Sequence, residues 1–464
     1  MRLKGKFNMA TRTPSPTFQR DEFATRLGVL AATLGSAVGL GNIWKFPALT
    51  GENGGAAFLV IYLLSAFLVG LPVMISEQLM GRHTRANAVS AFQKLAPRTP
   101  WWLVGALGVA AAFFILAFYS EVAGWVFAYI FRAITAGAPS TNPEVNSQAF
   151  TALVTNPVMS LVWQWLVLAM IGFIIILGVS GGIEKVTKRL MPILFGLLII
   201  ICIRSLTLPG ASEGLKFLFQ PDFSKVTGMT FVVAMGLAFF KLSTGMGTMI
   251  TYGSYFRQDQ DIPLTATRVM LADLLVSLLA GMAVFPAVFA FGFQPDAGPS
   301  LLFITLPAVF ASMPFGQVFM VMFFILVAIA ATGAMISILE VPVALLTEKW
   351  GISRRTATLA MVGLLAVVGA PAALSNSTTA DFKLFGKTMF DLYDFASSNL
   401  MLPLGGIFIS LFVGWVWSQR EVAAAITNDG KLANGWLVPV FMVVVKFITP
   451  LLVTGVLLNG LGLF

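Results

Sequence analysis

Charge is scarce in this 464-residue chain: Asp, Glu, Lys and Arg together make up 11% of it, and there is one histidine, His83, and one cysteine, Cys202. A lone cysteine excludes an intramolecular disulfide framework. A lone histidine excludes a histidine metal cluster or a membrane-embedded histidine relay. No zinc spacing, nucleotide-cradling loop or nucleophile–base set is visible, so the chain does not read as an enzyme and demands no cofactor.

What is abundant is apolar surface. Hydrophobic residues make up 58% of the chain and mean hydropathy is +0.88, more than a water-soluble domain can bury. Stretches of about 20 apolar residues, long enough for a helix to cross hydrocarbon, recur eleven times. They fall near 26–50, 56–80, 102–132, 157–179, 188–208, 228–256, 264–293, 314–346, 355–373, 390–418 and 435–459. Backbone polar groups cannot stay unpaired in lipid and the runs exceed barrel strands, so an all-α membrane protein with about eleven transmembrane helices is expected.

The formal net charge of +9 is explained by loops. Arg2, Lys4, Lys6, Arg12, Arg20 and Arg26 lie in the N-terminal arm, and Arg82, Arg85, Lys94 and Arg98 follow the second span. The connection 133–156 carries Glu144 and no Lys or Arg. This asymmetry predicts a cytoplasmic N-terminus and, after eleven spans, a C-terminus outside an inner (plasma) membrane. It also removes the case for nucleic-acid binding. The first apolar run lies behind the polar arm and precedes ten more, so it is expected to persist as a span rather than act as a cleaved signal.

Two spans are interrupted. The first contains Gly35-Ser36-Ala37-Val38-Gly39-Leu40-Gly41-Asn42 and the sixth Phe239-Phe240-Lys241-Leu242-Ser243-Thr244-Gly245-Met246-Gly247. Glycine at that density could serve close helix packing in one segment. Two matched segments five spans apart instead predict helices that unwind at mid-depth and offer backbone groups to a ligand. The spacing divides the chain into an arm (1–25), two five-helix repeats of opposite topology (26–208 and 228–418) and an additional helix (435–459).

With these segments in place, the sequence resembles the neurotransmitter:sodium symporter family, solute carrier family 6 and its prokaryotic relatives. The resemblance rests on Arg26-Leu27-Gly28, the run from Gly35 to Asn42, Trp44-Lys45-Phe46-Pro47, Gly51-Glu52-Asn53-Gly54-Gly55, Phe118-Tyr119, Gly181 to Lys185 and Ile304-Thr305-Leu306-Pro307. It implies the LeuT fold, alternating access and a site for a small amino acid. Carried over, the substrate carboxylate meets the amides of Leu40 and Gly41 and the Tyr119 hydroxyl. The amine meets the carbonyls of Ala37 and Phe240 and the Ser243 side chain. Ile115, Phe240, Met246 and Ile338 line an apolar pocket suited to a hydrophobic or aromatic α-amino acid. Gly39, where monoamine-carrying relatives have aspartate, leaves room for the carboxylate.

The resemblance further implies an outer gate of Lys45 with Asp394 and an inner gate of Arg20 with Glu348, supported by Tyr255. It implies a fifth helix that unwinds between Gly182 and Pro192. Glu77, Glu121 and Glu340 are expected to be structural acids.

The ion sites depart from the family pattern. The sodium ion beside the carboxylate uses the Ala37 carbonyl, Asn42, a hydroxyl residue in helix six and an amide or acid in helix seven. The last two positions are Lys241 and Asp273, so an ammonium neutralised by Asp273 stands where the ion would sit and repels it. That ammonium is expected to help hold the carboxylate. The second sodium site keeps carbonyls at Gly35, Val38 and Ala330 but has Gly333 and Ala334 where two hydroxyls belong, with Thr332 one place away. Chloride is not expected: Tyr62 and Ser277 fit its site, but Leu237 replaces a glutamine. The expected function is secondary active transport of amino acids with weakened sodium use, driven by protons or exchange. A conventional sodium-coupled symporter and a non-transporting amino-acid sensor are the alternatives.

Overall fold

Segments that cross hydrocarbon have to pair their own amides and carbonyls, and this chain does so by helices almost throughout. The computed structural model describes residues 21–135, 137, 139–292 and 301–463. The helices are α1 (Arg26–Ala37), α2 (Gly41–Glu52), α3 (Ala56–Thr84), α4 (Ala88–Leu95), α5 (Trp102–Thr135), α6 (Pro143–Val154), α7 (Pro157–Ile176), α8 (Val179–Leu206) and α9 (Ala211–Phe219). After them come α10 (Gly228–Lys241), α11 (Thr248–Gly253), α12 (Ile262–Ala290), α13 (Leu301–Ala311), α14 (Gly316–Trp350), α15 (Arg354–Val368), α16 (Met389–Val416), α17 (Gln419–Thr427) and α18 (Leu437–Gly460).

Eight of these are long and apolar enough to cross a membrane, and α1 with α2 makes a ninth span bent by 54°. The expected sixth span is α10 and α11 with a gap between them, and the ninth is the shorter α15. The loops hold α4, α6, α9, α13 and α17, amphipathic or short helices that hydropathy alone does not separate from coil.

Both interruptions have local causes. In the first, Val38 is extended, with φ −81° and ψ 107°, before the chain re-enters helix at Gly41. In the second, Ser243, Gly245 and Gly247 all have positive φ. A β-carbon on Gly245 would lie 2.6 Å from the Leu402 carbonyl oxygen, so only glycine fits there. The exposed amides are capped by Glu77, whose carboxylate accepts from Gly245 N (2.6 Å) and Met249 N (3.2 Å) at the start of α11. A carboxylate at a helix N-terminus satisfies orphan donors and the helix dipole together.

The expected unwinding of the fifth span is not seen. α8 runs unbroken from Val179 to Leu206 with Pro192 inside it. Its start is held by Glu184, which accepts from Ala24 N (2.6 Å) and Thr25 Oγ1 (2.8 Å). Gly28 makes this possible, because a β-carbon there would collide with the Glu184 carboxyl.

Candidate functional site

The breaks in α1 and α10 face each other in the middle of the bundle. Ser243 Oγ donates to the Ser36 carbonyl at 2.8 Å, joining one break to the other. Around this junction lies a cavity of about 30 Å³ walled by Ser36, Ala37, Gly39, Gly41, Ile115, Tyr119, Phe240, Lys241, Ser243, Met246, Ala334 and Ile338. Eight of the nine expected substrate-contacting residues therefore share one wall. The ninth, Leu40, lines an adjoining cavity of about 50 Å³ with Trp44, Lys45, Phe118, Phe390 and Asp394. Gly41, Tyr119 and Phe240 border both spaces and form the partition.

Two details tune the polar end. The Leu40 amide donates to Tyr119 Oη at 3.0 Å, which leaves the phenolic hydrogen to point elsewhere. Gly39 is confined: a β-carbon on it would lie 3.1 Å from Tyr119 Oη and 3.2 Å from Ala334 Cβ. A larger residue there would press on the hydroxyl.

Lys241 is fully buried and its stem runs past Gly41, whose added β-carbon would be 3.1 Å from Lys241 Cγ. The ammonium points away from the cavity. It lies 3.0 Å from Asp273 Oδ2, donates to Tyr62 Oη at 2.8 Å and to Ser277 Oγ, and sits 4.7 and 5.1 Å from the ring centroids of Tyr62 and Phe46. An ammonium has three hydrogens and all three are used. Lys241 nevertheless forms part of the cavity wall. Asn42 completes the cluster: its Nδ2 donates to Asp273 Oδ1 (2.6 Å) and Ser277 Oγ (3.1 Å), and its Oδ1 accepts from Gly39 N (3.2 Å). Tyr62 and Ser277, expected only as remnants of an anion site, are the lysine's acceptors.

At the expected second ion position, α1 and α14 approach each other closely. A β-carbon on Gly333 would lie 2.6 Å from the Gly35 carbonyl oxygen. The Thr332 hydroxyl donates to Ala328 O in its own helix at 2.7 Å.

At the outer mouth, Lys45 and Asp394 flank the larger cavity without forming an ion pair. Lys45 Nζ lies 4.1 Å from the Phe240 ring centroid, and Asp394 accepts from Ser398 Oγ at 2.7 Å. The ring offers a cation–π seat on the near side of the gap. At the inner mouth, Glu348 accepts from Asn87 N and Nδ2, both at 2.8 Å, while Arg20 lies outside the described residues. Tyr255 donates to Glu340 rather than Glu348, at 2.6 Å. Glu340 is buried and also takes Arg354 through Nη1 at 3.0 Å and Nη2 at 2.5 Å. That inner ion pair was missed because Arg354 reads as an ordinary loop cation.

A multi-pass helical bundle with two interrupted helices meeting at a small central cavity, and residues of opposite charge at its mouth, defines a membrane transport protein. The sodium:neurotransmitter symporter family model matches residues 20–156 and 154–463. This chain belongs to that family, which comprises transporters rather than enzymes, and has its LeuT-type fold. It is similar to the uncharacterized sodium-dependent transporter YhdH of Bacillus subtilis, 40% identical over 95% of this chain and 98% of that one. A Haemophilus influenzae protein, also an uncharacterized sodium-dependent transporter, is 34% identical over 96% and 98% of the two chains. The crystal structure of MhsT in complex with L-phenylalanine superposes with a TM-score of 0.87 at 41% identity, covering 95% of this chain and all of that one.

Proposed function

We propose that this protein is a secondary active transporter of hydrophobic or aromatic α-amino acids that uses the Lys241 ammonium in place of one sodium ion. The observation that carries the reading is the fully buried Lys241–Asp273 pair at 3.0 Å. A fixed cation on Asp273 raises the energy of a second cation brought to the same carboxylate, and the low-dielectric surroundings strengthen that repulsion. The closed approach of Gly333 to Gly35 supports loss of the second sodium site as well. Transport is then driven by protons or by exchange of one amino acid for another. With Tyr62 and Ser277 both committed to the ammonium, chloride has no hydroxyl pair to bind.

The substrate class follows from the wall. Ile115, Phe240, Met246 and Ile338 offer apolar surface, Tyr119 and the amides beside it suit a carboxylate, and Ser36, Ala37 and Ser243 lie where an ammonium would meet oxygen atoms. The L-phenylalanine in the MhsT complex agrees with an aromatic side chain. The carboxylate is held by Leu40, Gly41 and Tyr119 without Lys241. Lys45 and Asp394 act as the outer gate, closing across the larger cavity, and Arg20 with Glu348 as the inner one. The chain lies in the inner (plasma) membrane, N-terminus cytoplasmic and C-terminus outside, with two inverted five-helix repeats.

A second reading, a conventional sodium-coupled symporter, is favoured by the names of the relatives, which are called sodium-dependent. Binding of tritiated amino acids to purified protein separates the two, with sodium replaced by potassium and pH stepped across neutrality. Sodium-independent binding that Lys241→Thr converts to sodium dependence is expected. Strict sodium dependence of the wild type would refute the ammonium reading. Uptake into vesicles by the same protein distinguishes a transporter from a sensor.

A further inference from the structure

The last helix carries a charge that its protein neighbours do not balance. α18 is the least buried of the long spans: 22% of its apolar window lies inside the protein, against 78% for α14. Within 432–463 the one ionisable side chain is Lys446, the tenth residue of α18. At a rise of about 1.5 Å per residue it lies roughly 13 Å along the helix from Leu437. Among the described residues it makes no ion pair. The charges of the preceding connection, Arg420, Glu421, Asp429 and Lys431, cancel one another.

The lysine has a shaped seat. A β-carbon on Gly414 would lie 2.9 Å from Lys446 Cγ and 3.1 Å from its Cα, so only glycine at 414 lets the stem lie across α16. The ammonium is 5.1 Å from the centroid of the Trp415 ring. The Trp415 indole N–H donates to the Lys446 carbonyl at 3.3 Å, and its ring stands edge-on to Phe447 at 5.4 Å. Trp415 and Phe447 are 59% and 55% exposed, so this aromatic wall faces lipid.

A ring face attracts a cation without neutralising it, and a lone ammonium within a span is unfavourable unless it reaches a counter-charge. Lysine stems reach along apolar surface toward the headgroups. The exposed indole of Trp436 marks that boundary at the near end of α18.

We propose that Gly414, Trp415 and Lys446 form a binding site for an anionic phospholipid in the leaflet at the Trp436 end of α18. The phosphate sits on the ammonium and an acyl chain lies along Trp415 and Phe447. The preference for an anionic headgroup arises because one uncompensated cation at an anionic surface is worth about a fivefold enrichment.

The test uses the full chain purified in nanodiscs of mixed phosphatidylglycerol and phosphatidylcholine, with retained lipids counted by native mass spectrometry. The wild type is expected to retain phosphatidylglycerol about fivefold over its bulk share. Lys446→Arg keeps that preference and Lys446→Gln loses it. A wild type at the bulk ratio, or a Lys446→Gln protein with the preference intact, overturns the proposal. So does a dimer lost on Lys446→Gln with lipid retention unchanged, which would assign the face to a second copy. Should Lys446→Gln fold poorly, brominated lipids supply a second reading. Brominated phosphatidylglycerol should quench more fluorescence than brominated phosphatidylcholine, and Trp415→Phe should abolish the difference; equal quenching overturns the site.

Discussion

Gly333 of α14 meets Gly35 of α1 backbone to backbone, so closely that a β-carbon on Gly333 would lie 2.6 Å from the Gly35 carbonyl oxygen. The two helices are in contact at the position where the family resemblance implies a second sodium ion. Gly333→Ser should therefore lower stability by about 1–3 kcal/mol, the usual effect of overpacking, visible as a reduced melting temperature. A variant as stable as the wild type that also acquires sodium dependence would show that the space exists.

Lys241 and Asp273 should behave as one unit. Lys241→Met leaves a buried carboxylate without its cation and is expected to cost about 3–5 kcal/mol. Adding Asp273→Asn should recover part of that loss, and a double-mutant cycle on thermal stability measures the coupling. Strictly additive effects would mean that the two charges are independently satisfied.

Tyr119 is the most exacting of the polar site residues, because its hydroxyl already accepts from Leu40 N at 3.0 Å. Tyr119→Phe leaves that amide without its partner, a penalty of about 1–3 kcal/mol. Equilibrium binding of tritiated amino acids should weaken correspondingly, about tenfold for each 1.4 kcal/mol. Unchanged affinity would move the carboxylate elsewhere.

The Glu340–Arg354 pair makes a graded prediction. Arg354→Ala strands a buried carboxylate and should cost about 3–5 kcal/mol. Tyr255→Phe removes one hydrogen bond to the same carboxylate, roughly 1.5–3 kcal/mol. Thermal melts of the two variants should rank in that order, and the reverse order would place the main support of Glu340 on Tyr255.

Outside the membrane, Arg26 holds the Asp259 carboxyl below its ordinary range through a 3.0 Å hydrogen bond. A depressed carboxyl stabilises the fold above its unfolded-state value, about 3.9, and that contribution is lost as pH falls through the lower folded-state value. Both partners are largely exposed, so the effect is small and screened by salt. Asp259→Asn should leave the pH profile of transport near neutrality unchanged. A profile that moves with Asp259→Asn would place a proton-coupling group at this exposed ion pair.

Much of this architecture can be read from local chemistry. Runs of apolar residues specify helices in lipid, and glycine clusters at 35–41 and 245–247 specify where two of them open, because both depend on backbone pairing and on φ values that neighbouring residues set. The fifth span went the other way: the family resemblance implies unwinding between Gly182 and Pro192, yet α8 is intact, with Glu184 at its start tied to Ala24 and Thr25, about 160 positions earlier.

The family resemblance brought Lys241 and Asp273 to one ion site, and their opposite charges paired them. The direction of the ammonium depended on Tyr62, 179 positions away, and Ser277, 36 away, which together with Asp273 take all its hydrogens and turn it from the cavity. The family resemblance suggested Lys45 with Asp394, whereas in the folded bundle Phe240 takes the lysine and Ser398 the aspartate. Sequence by itself determined which segments span, where they break and which residue types meet at the breaks. Only tertiary structure decided which partner each polar side chain holds, since a hydrogen bond forms with whatever acceptor the packing of distant helices brings within about 3 Å.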